Sequence, residues 1–425
     1  MNSLMETIEI SYLLRIIRQR MTLIVSLVAV FVVTTGLVSF SCVGGWLRIA
    51  FLLEVLDKSV KTEEQIEELL GIPVLGVIAA IQQPKKNTFA QVGGSEKGCA
   101  STGMDRHHES GWGEYMKILV TGGAGFIGSI LVGRLVDHNH EVVVVDNLVT
   151  GNRGNVSEGA TFYLQDILDK KLQEIFLMEQ PDCVIHLAAQ CLVQRSVKDP
   201  LLDASINIMG TINLLENCCR HRVKKMIYAS SAAVYGDPKY LGIDEHHPIQ
   251  PSSFYGISKY APEHYVQAYA ALYGLKYTIL RYANVYGIRQ DSKGEGGVIS
   301  IFADCLLKNK RPLIYGDGNQ TRDFIYVEDI AAANIAALTS ADGEILNIGT
   351  NQPTSINELL QLMNEINGTD IEPVYLPERA GDIRHSYLNN NKALKYLEWK
   401  PKFNLKEGLE ETFDFYSSQT SSKRG

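Results

Sequence analysis

The chain has 425 residues, of which 45% are hydrophobic and 21% charged, with a formal net charge of -8. That length leaves room for two or three domains and a large α/β core. The acidic balance, with no dense Lys/Arg stripe, argues against nucleic-acid binding. Seven cysteines, an odd number with no CxxC or His/Cys ligand spacing, argue for a reducing compartment and against a disulfide framework or zinc site, so no metal is expected.

In chain order, the first feature is an uncharged run over residues 21–47. Residues 21–40 alone supply the roughly 20 positions that a bilayer-spanning helix needs. Arg15, Arg18 and Arg20 precede the run, and no convincing small-residue cleavage site comes after it. An uncleaved anchor with a cytoplasmic N-terminus is therefore expected. Residues 49–56 come after Arg48 and include Glu54, which makes them too short and too charged to span. Thr62 with Gln65 then forms a capping box, Glu63 and Glu64 suit the helix dipole, and Gly71 and Pro73 end the helix.

The stretches ISYLLRIIRQR and LLEVLDKSVKTEEQIEELLGIPVLGVIAA resemble the two cytoplasmic ends of polysaccharide chain-length determinant proteins, without the long extracytoplasmic region between them. Residues 1–81 are read as such a truncated segment, and the polar, Gly- and Ser-bearing residues 82–115 as a linker. A lone span after an Arg-rich flank would place the remainder of the chain outside the cell. Two alternatives avoid this: a strained hairpin at Gly44 and Gly45 returning residues 49–56 through the membrane, which that short charged run disfavours, or residues 1–115 as a remnant joined to an older start at Met116.

From Met116 the character changes. The runs KILVT, EVVVVD, CVIHLAA, KKMIYAS and YTILRY alternate with helical stretches, the pattern of βαβ units and a parallel sheet. The fold expected is a doubly wound dinucleotide-binding domain over residues 116–283, then a smaller α/β domain over 284–416 with some interleaving, and a tail over 417–425.

The first strand runs straight into a glycine turn. Gly122, Gly125 and Gly128 have GxxGxxG spacing, which allows a tight turn, close approach to a pyrophosphate and packing of the next helix on the sheet. Asp146 ends the next strand, placed to accept both hydroxyls of an adenosine ribose and to repel a 2'-phosphate, which favours NAD over NADP. Asp166 and Ile167 after the third strand are placed to flank the adenine, and small residues at 186–189 end the fourth where a cofactor passes close to the backbone.

Ser230 and Ser231 close the fifth strand, and Tyr255 and Lys259 lie four residues apart, hence on one helix face. A tyrosine near its ordinary pKa of about 10 is a poor base at neutral pH. A neighbouring ammonium together with an oxidised nicotinamide lowers it.

The series TGGAGFIGS, HLAAQ, SSAAVYG, YGISK, RYANVYG, GEGGVI, GDGNQTRDFIYVEDI and RAGDIRHS resembles, in content and order, the UDP-glucose 4-epimerase family of the extended short-chain dehydrogenases, over residues 116–416. The resemblance implies that Tyr255 is the general base, that Ser231 bonds the 4-hydroxyl of the sugar, and that Lys259 holds the nicotinamide ribose. It places Phe126, Ile127, Asn147, Leu187, Ala188, Ala189, Ser230 and Tyr282 beside NAD. For the UDP-sugar it implies Asn284, Gly297, Val298, Arg322, Arg379 and Asp382; guanidinium groups suit a diphosphate and a carboxylate suits ribose hydroxyls.

Sister dehydratases resembling this chain place Asp-Glu after the serine or threonine, and sister decarboxylases carry a glutamate in that loop. Ala232 and Ala233 occupy those positions here and transfer no protons. Ser386 stands where glucose-restricted members carry a bulky tyrosine, leaving room for an N-acetyl group unless Tyr387 refills it. Cys191 replaces a lysine that some members have near the nicotinamide. The resemblance also implies a homodimer built on the helix of Tyr255 and its neighbour; an enzyme domain in the cytoplasm is expected, and the N-terminal segment motivates a role in polysaccharide supply. Two readings stay open beside 4-epimerisation: another NAD-dependent nucleotide-sugar epimerase or decarboxylase, and a membrane-anchored assembly regulator with an inactive dehydrogenase-like domain.

Overall fold

The structure is a computed structural model that describes residues 115–291, 297–378 and 383–422, the side chains of 420–422 excepted. The candidate span at 21–40, the helix expected after Thr62, most of the linker, and Arg379 and Asp382 lie outside the described residues. Among the described residues, no helix is long and apolar enough to cross a membrane.

Seven parallel strands build the central sheet: β1 (Lys117–Thr121), β2 (Glu141–Asp146), β3 (Ala160–Leu164), β4 (Cys183–His186), β5 (Lys225–Ser231), β6 (Lys276–Tyr282) and β7 (Glu344–Ile348). Their spatial order is β7-β6-β5-β4-β1-β2-β3. Continuous apolar runs such as Val142 to Val145 suit this position, because a parallel sheet covered on both faces buries every residue. Alternate residues enter different cores. Ile118, Val120, Val142 and Val144 belong to one cluster, while Leu119, Val143 and Val145 belong to the other. Full burial of each such valine contributes roughly 1.5–3 kcal/mol.

The strand order reverses between β1 and β4, so their carboxyl ends diverge and open a crevice, the usual ligand site of a doubly wound sheet. Helix α1 (Phe126–Asp137) begins at that crevice and buries Ile130, Leu131 and Leu135. Beyond β4 come a helix at Pro200–Ala204, a π-helical turn at Ser205–Met209 and α2 (Gly210–Arg220). The long α3 (Phe254–Tyr273) starts at Ser253, whose hydroxyl accepts the Gly256 amide, and stops at Gly274, whose φ of +73° is left-handed.

The second half is not separate from the sheet. β7 comes from it and pairs with β6 in register from Glu344 opposite Thr278 to Ile348 opposite Tyr282. Three small pairs complete it: 284–286 with 324–326, 313–315 with 374–376, and the antiparallel 321–322 with 354–355. The closing helix Leu405–Ser422 runs past residue 416, where the sequence suggested a tail. Residues 417–419 are exposed, so helix propagation rather than burial carries it on, a cheap step once a helix is nucleated.

Candidate active site

The cofactor side of the crevice is shaped by what a Cβ would strike. At Gly122, with φ of +73°, a Cβ would lie 2.7 Å from the Ala188 nitrogen; at Gly128 it would lie 2.1 Å from the Gly122 oxygen. Both positions therefore demand glycine, one for its left-handed backbone and both for close packing. Gly125 caps α1 with no side-chain hydrogen bond to its amides, so the first turn at Phe126 and Ile127 presents N–H groups and a positive dipole end.

Asp146, at the end of β2, accepts the Ala124 amide on Oδ2 at 2.9 Å and the Leu148 amide on Oδ1 at 2.8 Å. Each oxygen keeps a lone pair for a ribose hydroxyl. Asn147 Nδ2 donates to Asp166 Oδ2 at 2.7 Å, and the other Asp166 oxygen accepts the Leu168 amide. The Ile167 side chain is buried against Gly210 of α2. Leu187, Ala188 and Ala189 are partly exposed beyond the end of β4. These features fit an NAD molecule extended across the crevice.

At the end of β5, Ser231 is hydrogen-bonded to Tyr255 and its Oγ accepts the Ala233 amide at 3.2 Å. Tyr255 is fixed at the start of α3 by its amide, which donates to Ser196 Oγ at 3.1 Å. Lys259 is 5% exposed, one turn along the same face. Burial pulls its ammonium down from 10.5 to about 8, against the pull of Cys191, Asp203 and Glu263. Burial holds the Tyr255 phenol above its ordinary value, Cys191 adds to this, and the Ser231 hydrogen bond lowers it.

Two expected cofactor residues turn elsewhere. Ser230 Oγ donates to Glu263 Oε1 at 2.5 Å. The Tyr282 hydroxyl is bound to Asn334 at 2.7 Å. Both side chains are buried and paired within the protein.

Of the residues expected to meet the UDP-sugar, Asn284 is exposed. Gly297 opens the helix Val298–Leu307 without a side-chain cap. Arg322 and Ser386 come together: Arg322 Nη1 and the Ser386 amide both donate to the Thr321 carbonyl, at 2.8 and 3.1 Å. Tyr387 is held against the loop of Gly242 and Ile243. Its ring lies 3.6 Å from where a Cβ of Gly242 would stand, and its carbonyl accepts the Ile243 amide.

Sequence reasoning missed the polar bed beneath the site. His186 bridges Thr121 at 2.7 Å and Thr211 at 3.0 Å. Asn207, in the π-helical turn, joins Gln190, Asp203 and Ser258. Only the π-turn, a frequent mark of functional sites, singles it out, and it has no sequence signature.

A glycine turn on a doubly wound sheet, an acidic ribose acceptor and a Ser-Tyr-Lys group define an NAD-binding enzyme of the dehydrogenase type. Residues 118–349 match the model of the NAD dependent epimerase/dehydratase family, and the chain belongs to that family. A relative described as a putative UDP-glucose 4-epimerase from Methanocaldococcus jannaschii is 52% identical over 293 residues, covering 69% of this chain and 95% of its own length. The solved UDP-glucose 4-epimerase of Thermotoga maritima, with UDP-glucose, is 46% identical with a TM-score of 0.71, covering 72% of this chain and 100% of that one. A UDP-N-acetylglucosamine 4-epimerase from Methanobrevibacter ruminantium, in complex with UDP-N-acetylmuramic acid, is 37% identical with a TM-score of 0.69, over 72% and 99% of the two chains.

Proposed function

We propose that the chain is a UDP-sugar 4-epimerase that interconverts UDP-glucose with UDP-galactose and also accepts the N-acetylated pair. The observation that carries this reading is the group formed by Ser231 at the carboxyl end of β5 and Tyr255 and Lys259 on α3, with the glycine turn two strands away at the end of β1. When bound, NAD supplies reversible hydride storage for C4 of the sugar, so a tightly held cofactor is expected. Tyr255 accepts the proton of the 4-hydroxyl and returns it after the 4-keto sugar has turned over. Ser231 donates to or accepts from the same oxygen, and Lys259 holds the nicotinamide ribose and steadies the phenolate. With NAD bound, Lys259 together with the positive nicotinamide would offset the burial that raises Tyr255.

Asn284, the amides at Gly297 and Val298, Arg322, Arg379 and Asp382 are assigned to the UDP-sugar. Ala232 and Ala233 after Ser231 offer no acid or base for dehydration. The small Ser386, with Tyr387 packed on Gly242, supports room for a C2 N-acetyl group, as does the resemblance to a UDP-N-acetylglucosamine 4-epimerase.

A homodimer through α3 is supported by the apolar side chains it exposes, among them Phe254, Ile257, Tyr265, Leu272 and Tyr273. Membrane anchoring through residues 21–40 and a place in polysaccharide supply rest on the sequence. Incubating the purified full-length chain separately with UDP-glucose and UDP-N-acetylglucosamine, with products tracked by NMR, tests the reading. Both C4 epimers should form without added reductant; no product from either, with NAD bound, defeats it.

A further inference from the structure

Behind the reacting groups runs a buried charged chain. Glu263 is 1% exposed and Arg281, on β6, is 3% exposed. The two pair through two contacts, Nε to Oε1 at 2.9 Å and Nη2 to Oε2 at 2.6 Å. Arg281 Nη1 also donates to the Tyr235 hydroxyl at 2.9 Å, which donates in turn to Asn347 on β7 at 2.7 Å.

The placement of Glu263 is what gives the chain a consequence for the reaction. Tyr255, Lys259 and Glu263 are spaced four apart on α3, so they share one face. Consecutive serines of β5 hold the two ends of that face: Ser231 bonds Tyr255, and Ser230 donates to Glu263 at 2.5 Å. These anchor points are eight residues apart, about 12 Å along the helix axis, and Lys259 lies between them.

Resting on the 4-epimerase reading above, we infer that Glu263 is a positioning residue for the reaction. It locks the end of β5 to α3 through Ser230, and its carboxylate is one of three groups, after Cys191 and Asp203, that favour the Lys259 ammonium beside Tyr255. The charged and titratable groups facing Lys259 are Cys191 after β4, Asp203 from the helix Pro200–Ala204, Glu263 on its own helix, His186 on β4 and Tyr228 on β5, whose ring centre is 5.1 Å from Nζ. His186 is kept neutral by burial, and of the groups that favour the ammonium Cys191 and Asp203 act more strongly than Glu263.

The test uses the full-length holoprotein and three variants. In Glu263→Gln, kcat should fall at least about tenfold with KM within about twofold of the unsubstituted protein, because the lost alignment acts on the reacting groups and not on UDP. The alkaline limb of the kcat profile should move to lower pH, because Lys259 loses a favourable charge. The double variant Glu263→Gln/Arg281→Met leaves no unpaired buried charge and should keep the shifted limb. Ser230→Ala removes only the tie to β5 and should lower kcat with the limb in place. An unmoved limb and full kcat in the double variant, or full kcat in Ser230→Ala, overturns the inference and leaves Glu263 a structural ion-pair partner. Absence of epimerisation in the unsubstituted protein would instead defeat the proposed function.

Discussion

Asp146 Oδ2 accepts the amide of Ala124 at 2.9 Å, which ties the end of β2 to the glycine turn after β1. The residue proposed to select the adenosine ribose is thus also a strut of the turn proposed to receive the pyrophosphate. Asp146→Ala should therefore damage both. With charge-assisted hydrogen bonds contributing about 1.5–3 kcal/mol each, NAD affinity should fall by one to two orders of magnitude, measured by calorimetry. Unchanged affinity would remove Asp146 from the cofactor site.

The crowding at Gly128 leads to a second expectation. A methyl there would stand 2.1 Å from the Gly122 carbonyl oxygen, backbone that cannot swing aside. Gly128→Ala should yield protein purified without NAD and with a lowered thermal midpoint. Gly133→Ala, where a Cβ meets nothing within 4 Å on the same helix, is the control and should retain both.

Removal of the Tyr255 hydroxyl tests the proton transfer itself. Tyr255→Phe should lower kcat about 10²- to 10⁴-fold, the usual contribution of a positioned acid or base, with KM little changed. A variant retaining most of its activity would take the general base away from Tyr255.

His186 gives the acid side of the stability profile. Burial pulls its pKa from 6.5 to about 3, so between these values the unfolded chain binds a proton that the folded chain does not. Stability falls as pH drops through that window and is unaffected by this group above it. Replacing His186 with Gln, which can still reach Thr121 or Thr211, should flatten the dependence of denaturation midpoint on pH between about 6.5 and 3. An unchanged slope would assign the loss to other groups.

For the sugar pocket, Ser386→Tyr should depress kcat/KM for UDP-N-acetylglucosamine by at least about tenfold relative to UDP-glucose, the scale on which a pocket rejects excess bulk. Equal losses on both sugars would place the C2 substituent elsewhere.

Much of this protein was legible in its chain because local chemistry carried the signal. Apolar runs such as EVVVVD have no soluble alternative to a doubly covered parallel strand, the glycines of the turn are dictated by backbone clashes, and four-residue spacing puts Tyr255 and Lys259 on one face wherever the helix sits. What only the tertiary structure decided are the relations between residues far apart in sequence. Ser230 is indistinguishable from Ser231 as a letter, yet packing gives it to Glu263, and Glu263 to an arginine from another strand. Burial likewise raises the Tyr255 phenol, an effect that the four-residue spacing to Lys259 does not reveal. Hydrogen-bond partners and desolvation depend on which surfaces the fold brings together, and no local pattern encodes that.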